Sequence, residues 1–227
     1  MMMIGLYVLL NLAVLCVAAR ASAASGWRLV LMLFAAGLIV GSLNSMIEAV
    51  FFGVLAPRQA VSATVPAAII VAILSPVAVL LSGRWSKGAE APPETGGFTP
   101  VAVVGVVIAY ELLYWGAGMI VFPYVQHFYA SRSLPPVYAV AAMQVVRALN
   151  FAGAVYPLLR NGLRSAPLVL GLVFAVIGGV APLLPDNPYM PADIRLYHGI
   201  EVTVSNFIFG LAVGLLFNRR PAIPAQA

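Results

Sequence analysis

The sequence predicts an all-α polytopic membrane protein of seven transmembrane helices, with the N-terminus outside and the C-terminus cytoplasmic. Three observations predict it. Of 227 residues, 63% are hydrophobic and only 8% charged, with a mean hydropathy of +1.02. A soluble domain carries about 25% charged residues. Apolar runs long enough to cross a bilayer, roughly 18–25 residues each, recur along the chain. The basic residues at the run ends fall unevenly on the two sides. Arg20, Arg28, Arg84, Lys87, Arg160, Arg164, Arg219 and Arg220 stand on one side, and Arg58, Arg132 and Arg195 on the other. The richer side is assigned to the cytoplasm.

The first run, 3–19, resembles a signal peptide with Ala21-Ser22-Ala23 as its cleavage-like site. No Lys or Arg precedes it, so the charged leader of a signal peptide is missing, and it is read as a retained first span. It holds Cys16, the sole cysteine. A lone thiol forms no intrachain disulfide and no redox pair. The second run, 29–55, places Gly41, Asn44, Ser45, Glu48 and Phe52 on one helical face. The third, 65–82, is free of charge, and Pro57 marks the joint before it. The polar stretch 83–100 reads as a cytoplasmic loop too short for a domain, so residues 1–227 form a single transmembrane helical domain.

The fourth run, 101–122, carries Glu111 with Tyr114 and Trp115 three and four residues on, and Pro123 marks its end. His127 falls in the following loop and reads as surface. The fifth, 137–159, begins after Pro135-Pro136 and bears Gln144, Arg147 and Asn150. The sixth, 167–184, begins at Pro167 and ends at a proline-rich stretch, 185–191. The seventh, 196–217, opens with "RLYHGIEVTVSNFIFG", in which His198, Glu201 and Ser205 share a face with Asn206 at its edge. The opposite stripe, Ile200, Val204, Phe207 and Leu211, is apolar and suited to lipid. Tyr124, Tyr129, Tyr138 and Tyr197 read as an interfacial aromatic belt.

Charged groups in mid-membrane cost about 2.5–3.5 kcal/mol each and mark function by default. At 1.5 Å per helical residue, Glu48, His198 and Glu201 are expected near the outer surface, and Glu111 and Arg147 near the midplane. Four spans thus direct polar groups into the outer half of one bundle. Glu48, Glu111, Arg147, His198 and Glu201 are the candidate catalytic residues. Asn44, Tyr114, Trp115, Gln144, Asn150, Ser205 and Asn206 are the candidate substrate contacts. Arg147 is expected to pair with Glu111, which leaves other carboxylates to share a proton, to pair with His198 or to bind a cation. "EAVFFG" (48–53) and "ELLYWG" (111–116) share a pattern of Glu, two intervening residues, two aromatics and Gly.

Two function classes follow. One is an integral membrane enzyme acting by acid–base chemistry on a lipid-like or isoprenoid-like substrate in a site open to the extracytoplasmic side. The alternative is a proton- or cation-coupled transporter using the same carboxylates. The enzyme reading leads, because the polar groups lie on one side and the inner half is apolar. No cofactor is expected. A divalent metal on His198 and Glu201 is the minor alternative, by analogy with i, i+3 ligand pairs in helix bundles. Lys87, the only lysine, lies in a loop, so no span can form a retinal Schiff base. GxSxG, HExxH and EExxxR motifs are absent. The arginines form no patch, which argues against nucleic acid. Expected partners are membrane lipids and a small apolar or amphipathic substrate. The expected location is a bacterial cytoplasmic membrane.

Overall fold

A computed structural model describes residues 2–86, 99–130, 133–185 and 190–217. Lys87, Arg132, Arg219, Arg220, most of the 83–100 loop and part of the 185–191 stretch lie outside the described residues. The described chain is all-helical, with seven helices long and apolar enough to cross a membrane. They are α1 (Met2–Ala21), α2 (Gly26–Phe51), α3 (Pro57–Leu81), α4 (Pro100–Tyr129), α5 (Val137–Arg160), α6 (Ala166–Leu183) and α7 (Ala192–Phe217).

Prolines set several starts. Pro57 and Pro100 occupy the first helical turn, where a missing N–H breaks no bond. Two boundaries differ from the sequence reading. Helix α3 begins eight residues earlier than its apolar run. Its first turns are polar, but Ser62 and Thr64 return their hydroxyls to the carbonyls of Gln59 and Ala60 at 2.9 and 2.8 Å. Gln59 Oε1 also accepts from the Ala56 amide at 2.8 Å. Helix α4 runs through Pro123 for another turn and a half. A proline there breaks one bond of the ladder without ending the helix. His127 consequently belongs to the last turn of α4 and not to a loop.

Around the bundle the neighbours run α4, α7, α6, α1, α3, α2, α5 and back to α4. Helices α2 and α6 also meet across the middle. Both are interrupted there by π-helical turns, Ile39–Leu43 and Val173–Val180. The amide of Asn44 reaches back five residues to Ile39 O, and that of Ala181 to Val176 O. The two π segments touch. A Cβ on Gly41 would stand 2.9 Å from Ile177 Cγ2, and one on Gly178 would stand 3.0 Å from Val40 Cγ1.

Helix α7 crosses α6 through Gly210 and Gly214, a small-xxx-small pair that allows backbones to approach closely. A Cβ at Gly210 would lie 2.4 Å from Leu170 O, and one at Gly214 2.4 Å from Pro167 Cα. Ile200 and Val204 face outward, as the apolar stripe predicts, but Phe207 packs over Gly171 of α6.

The two ends of the bundle are tied differently. At the end holding the α1–α2, α3–α4 and α5–α6 connections, backbone hydrogen bonds join separate connections. Ala23 N donates to Gly162 O at 2.8 Å, Arg164 N to Ala21 O at 2.9 Å and Gly26 N to Arg84 O at 2.9 Å. Arg84 also donates to Ser22 O. The opposite end, called the site end below, is joined by side chains. Tyr124 of α4 stacks on Tyr197 of α7, with centroids 5.0 Å apart and planes at 18°. His127 Nε2 lies 3.3 Å from Asp193 Oδ2.

Candidate functional site

Each polar stripe becomes one wall of a single small cavity between α2, α4, α5 and α7. Glu48 comes from α2; Tyr110, Leu113, Tyr114 and Ala117 from α4; and Arg147 from α5. Helix α7 adds His198, Glu201, Val202, Ser205, Asn206 and Phe209. The cavity has a volume of about 40 Å³. That is room for water or a small functional group, far below the roughly 300–1,000 Å³ of a drug-sized site.

Arg147 is the centre of one wall. Its Nη1 donates to Glu48 Oε1 at 2.5 Å and to Gln144 Oε1 at 3.0 Å. Its guanidinium carbon lies 5.7 Å from the Tyr110 ring centroid, within cation–π range. Asn44 supports the backbone behind it, donating to Arg147 O at 3.3 Å, while Asn150 donates to Asn44 Oδ1 at 3.4 Å. Gln144 and Asn44 are fully buried, so these amides orient the arginine and do not face the cavity.

The facing wall is about three helical turns of α7, from His198 to Phe209. His198 Nδ1 lies 3.2 Å from Glu201 Oε2. Ser205 Oγ donates back to Glu201 O at 2.7 Å, and Asn206 donates to Gly178 O in the π segment of α6 at 3.2 Å. The side chains of Glu48 and Glu201 keep 17% and 16% of their exposure, so both carboxylates are largely withdrawn from the surface yet open to the cavity.

Beneath the site the four rings of Tyr110, Phe151, Phe174 and Phe209 pack as one cluster, with neighbouring centroids 4.7–5.9 Å apart. All four are buried. Phe209 and Tyr110 belong both to this cluster and to the cavity lining, so the floor is aromatic.

Of the five residues expected to be catalytic, four line the cavity and Glu111 does not. The expected Glu111–Arg147 pair is replaced by Glu48–Arg147. Glu111 instead accepts a hydrogen bond from Trp115 Nε1 of its own helix at 2.8 Å. It sits one residue from Tyr110, and one residue is about 100° of rotation, so Tyr110 faces Arg147 and Glu111 is turned aside. The expected difference in depth between Glu48 and Arg147 also fails. Helix α2 stops three residues after Glu48, turning at Gly53 with φ +66°, so its end meets α5 at the level of Arg147.

Among the expected substrate contacts, Tyr114, Ser205 and Asn206 line the cavity, whereas Trp115, Gln144, Asn44 and Asn150 stand behind or beside it. Sequence reasoning missed Tyr110 and Phe209. Their signal was the helical spacing of Tyr110, Tyr114 and Ala117 on α4 and of Val202, Ser205 and Phe209 on α7. Among the described residues no group of three or more His, Cys, Asp and Glu side chains gathers closely enough to hold a metal ion. His198 and Glu201 therefore bring only two ligands together.

Comparison with protein-family models, with curated proteins and with solved structures finds no match.

Proposed function

We propose that the protein is an integral membrane enzyme that performs acid–base chemistry on a lipid-like or isoprenoid-like substrate, in a site opening to the extracytoplasmic side. One observation carries the reading: two carboxylate pairs, Glu48–Arg147 and His198–Glu201, stand on different walls of one cavity whose floor is a sealed aromatic cluster. A one-sided cavity suits chemistry on a bound molecule better than passage of that molecule through the bundle.

The roles follow from the chemistry of the groups. His198 and Glu201 exchange a proton with the reacting group as acid and base. Arg147, held by Glu48 and Gln144, steadies the negative charge that develops there. Because the cavity accepts only a small group, the body of the substrate stays among the helices or in lipid. The site end then faces outward, in agreement with Arg20, Arg28, Arg84, Arg160 and Arg164 gathering at the other end.

The alternative, a proton- or cation-coupled transporter, is favoured by the water-sized volume of the cavity, which suits a relay. One experiment separates the two. Membranes of cells producing the wild type and Glu201→Gln are compared by lipid mass spectrometry, beside proton flux in vesicles of the purified proteins. The enzyme reading expects a lipid species that changes with the wild type and not with Glu201→Gln, and no flux. An unchanged lipid profile together with Glu201-dependent flux would establish the transporter instead.

A further inference from the structure

We propose that the seam between α4 and α7 at the site end is the access route to the cavity, a side door through which an amphipathic molecule enters from the surrounding lipid, latched by the Tyr124–Tyr197 stack and the His127–Asp193 pair. The proposal takes its ligand class from the function proposed above. The geometry of the door does not depend on that function.

The two helices of the seam supply ten of the twelve cavity-lining residues, 4 from α4 and 6 from α7. They are adjacent in the ring of helices, so parting them opens the cavity outward from the bundle. Both helices carry exposed apolar residues at this end, Met119 and Ile120 on α4 and Ile200 and Val204 on α7, and on α7 these continue into an apolar groove against α6. A molecule approaching from lipid meets these apolar side chains first, and His198 and Glu201 only once α4 and α7 have parted.

Helix α4 is built to move at this end. Only 11% of its most apolar window is buried, the smallest share of the seven spans. Pro123 cannot donate to Met119 O, which weakens the ladder at that turn. Both α4 members of the latch, Tyr124 and His127, lie beyond that break. One to two turns inward, Gly116 has open space where a Cβ would stand, and a Cβ on Gly118 would lie 3.9 Å from a Glu201 carboxylate oxygen. Side-chain bulk there does not wedge the helices in place.

The latch is of modest strength. His127 and Asp193 are 63% and 55% exposed, and an exposed ion pair contributes little. The stacked tyrosines carry most of the closure. At the far end Leu216 of α7 packs on Gly105 of α4, 3.2 Å from where a Cβ would stand, so separation of α4 from α7 is confined to the site end.

The test reads access to the cavity without reference to turnover. In a Cys16→Ala background, Ser205→Cys places a single thiol on the cavity wall. Its labelling is followed with a charged, water-borne methanethiosulfonate and with a long-chain N-alkyl maleimide that partitions into lipid, in vesicles. Loss of the stack in Tyr124→Ala should raise maleimide labelling about two- to tenfold, whereas Tyr124→Phe, which keeps the stack, should leave it unchanged. Adding His127→Ala to Tyr124→Ala should raise it further. Tyr124 is exposed, so these variants should fold, and thermal unfolding in detergent checks that they do. Val202→Cys serves as the reporter where Ser205→Cys does not fold. Unchanged labelling by both reagents in Tyr124→Ala with His127→Ala would overturn the door. Acceleration of the charged reagent alone would overturn the route from lipid. Failure of the lipid-profile comparison with an intact labelling result would sink the enzyme and leave the door.

Discussion

Two hexapeptides of this chain share one pattern and meet different fates. "EAVFFG" ends α2, with Gly53 at φ +66° turning the chain away. "ELLYWG" sits in the middle of α4, where Gly116 continues the helix for 13 more residues. Glu48 reaches across to Arg147 on α5, and Glu111 is satisfied within its own helix. The difference lies at the fifth residue of each. Trp115 places an indole N–H at i+4 from Glu111, on the same helical face. Phe52, at i+4 from Glu48, offers no donor, so that carboxylate must find one on another helix. A single ring nitrogen separates a carboxylate that builds the site from one that does not.

The largest test of this contrast is removal of Arg147. Arg147→Met leaves Glu48 withdrawn from water without its cation, and loss of one partner of a buried pair costs about 3–5 kcal/mol. A large fall in unfolding temperature is expected. Glu48→Leu with Arg147→Met should recover most of it, since a size-matched apolar pair needs no partner. Glu111→Leu in the same assay should change little. If Arg147→Met unfolded like the wild type, Glu48 would be no more dependent on another helix than Glu111 is.

The glycines provide the next test, in which one substitution should act in opposite directions. Gly53→Ala forces a Cβ into the left-handed region and should cost about 1–2 kcal/mol. Gly116→Ala adds a Cβ to a helix interior with no atom within 4 Å and should stabilise by about 0.5–1 kcal/mol. Chemical or thermal unfolding of the two variants reads both signs. Equal effects would mean the two hexapeptides end alike.

The smallest expected effect belongs to the indole. Trp115→Phe removes the Glu111 hydrogen bond from a half-buried site and should cost about 1 kcal/mol. Phe52→Trp in the Arg147→Met background should recover about as much, by giving Glu48 a donor in its own helix. A Phe52→Trp change with no recovery would remove the ring nitrogen as the deciding atom.

The spans were legible because an apolar run of bilayer length has few other uses, and the walls of the site because Glu48, Arg147, His198 and Glu201 stand out in a chain so poor in charge. The rest was hidden for physical reasons. The start of α3 was obscured by Arg58, which is exposed, and by Gln59, Ser62 and Thr64, whose polar groups are satisfied along the helix itself. Pro123 read as a stop because sequence alone does not separate a proline that kinks a helix from one that ends it. Glu111 was assigned to Arg147 on depth, which spacing gives well, but facing turns on one residue of rotation and on a local competitor. Tyr110 and Phe209 were missed because an aromatic that floors a cavity and one that faces lipid look alike without neighbours.

The touching π turns of α2 and α6 bear on how this chain can vary in length. An i to i+5 ring takes in one more residue than the α ring it replaces. Deleting one residue within Ile39–Leu43 would let the helix close as a regular α-helix. Everything after the deletion would keep its facing against everything before it, because the π turn holds one extra residue without a lasting rotation. Glu48 would still face Arg147, whereas a one-residue deletion in the α-helical part of α2 would turn Glu48 about 100° off it with every side chain of the site still present. Conversely, a one-residue insertion elsewhere in α2 would have to be absorbed by a second such turn to keep the same contacts. A change of one residue between Arg28 and Glu48 thus keeps the pair with Arg147 only where a π turn takes the residue up or gives it back, and homologues with a one-residue gap in this segment should keep the pair where the gap falls within Ile39–Leu43.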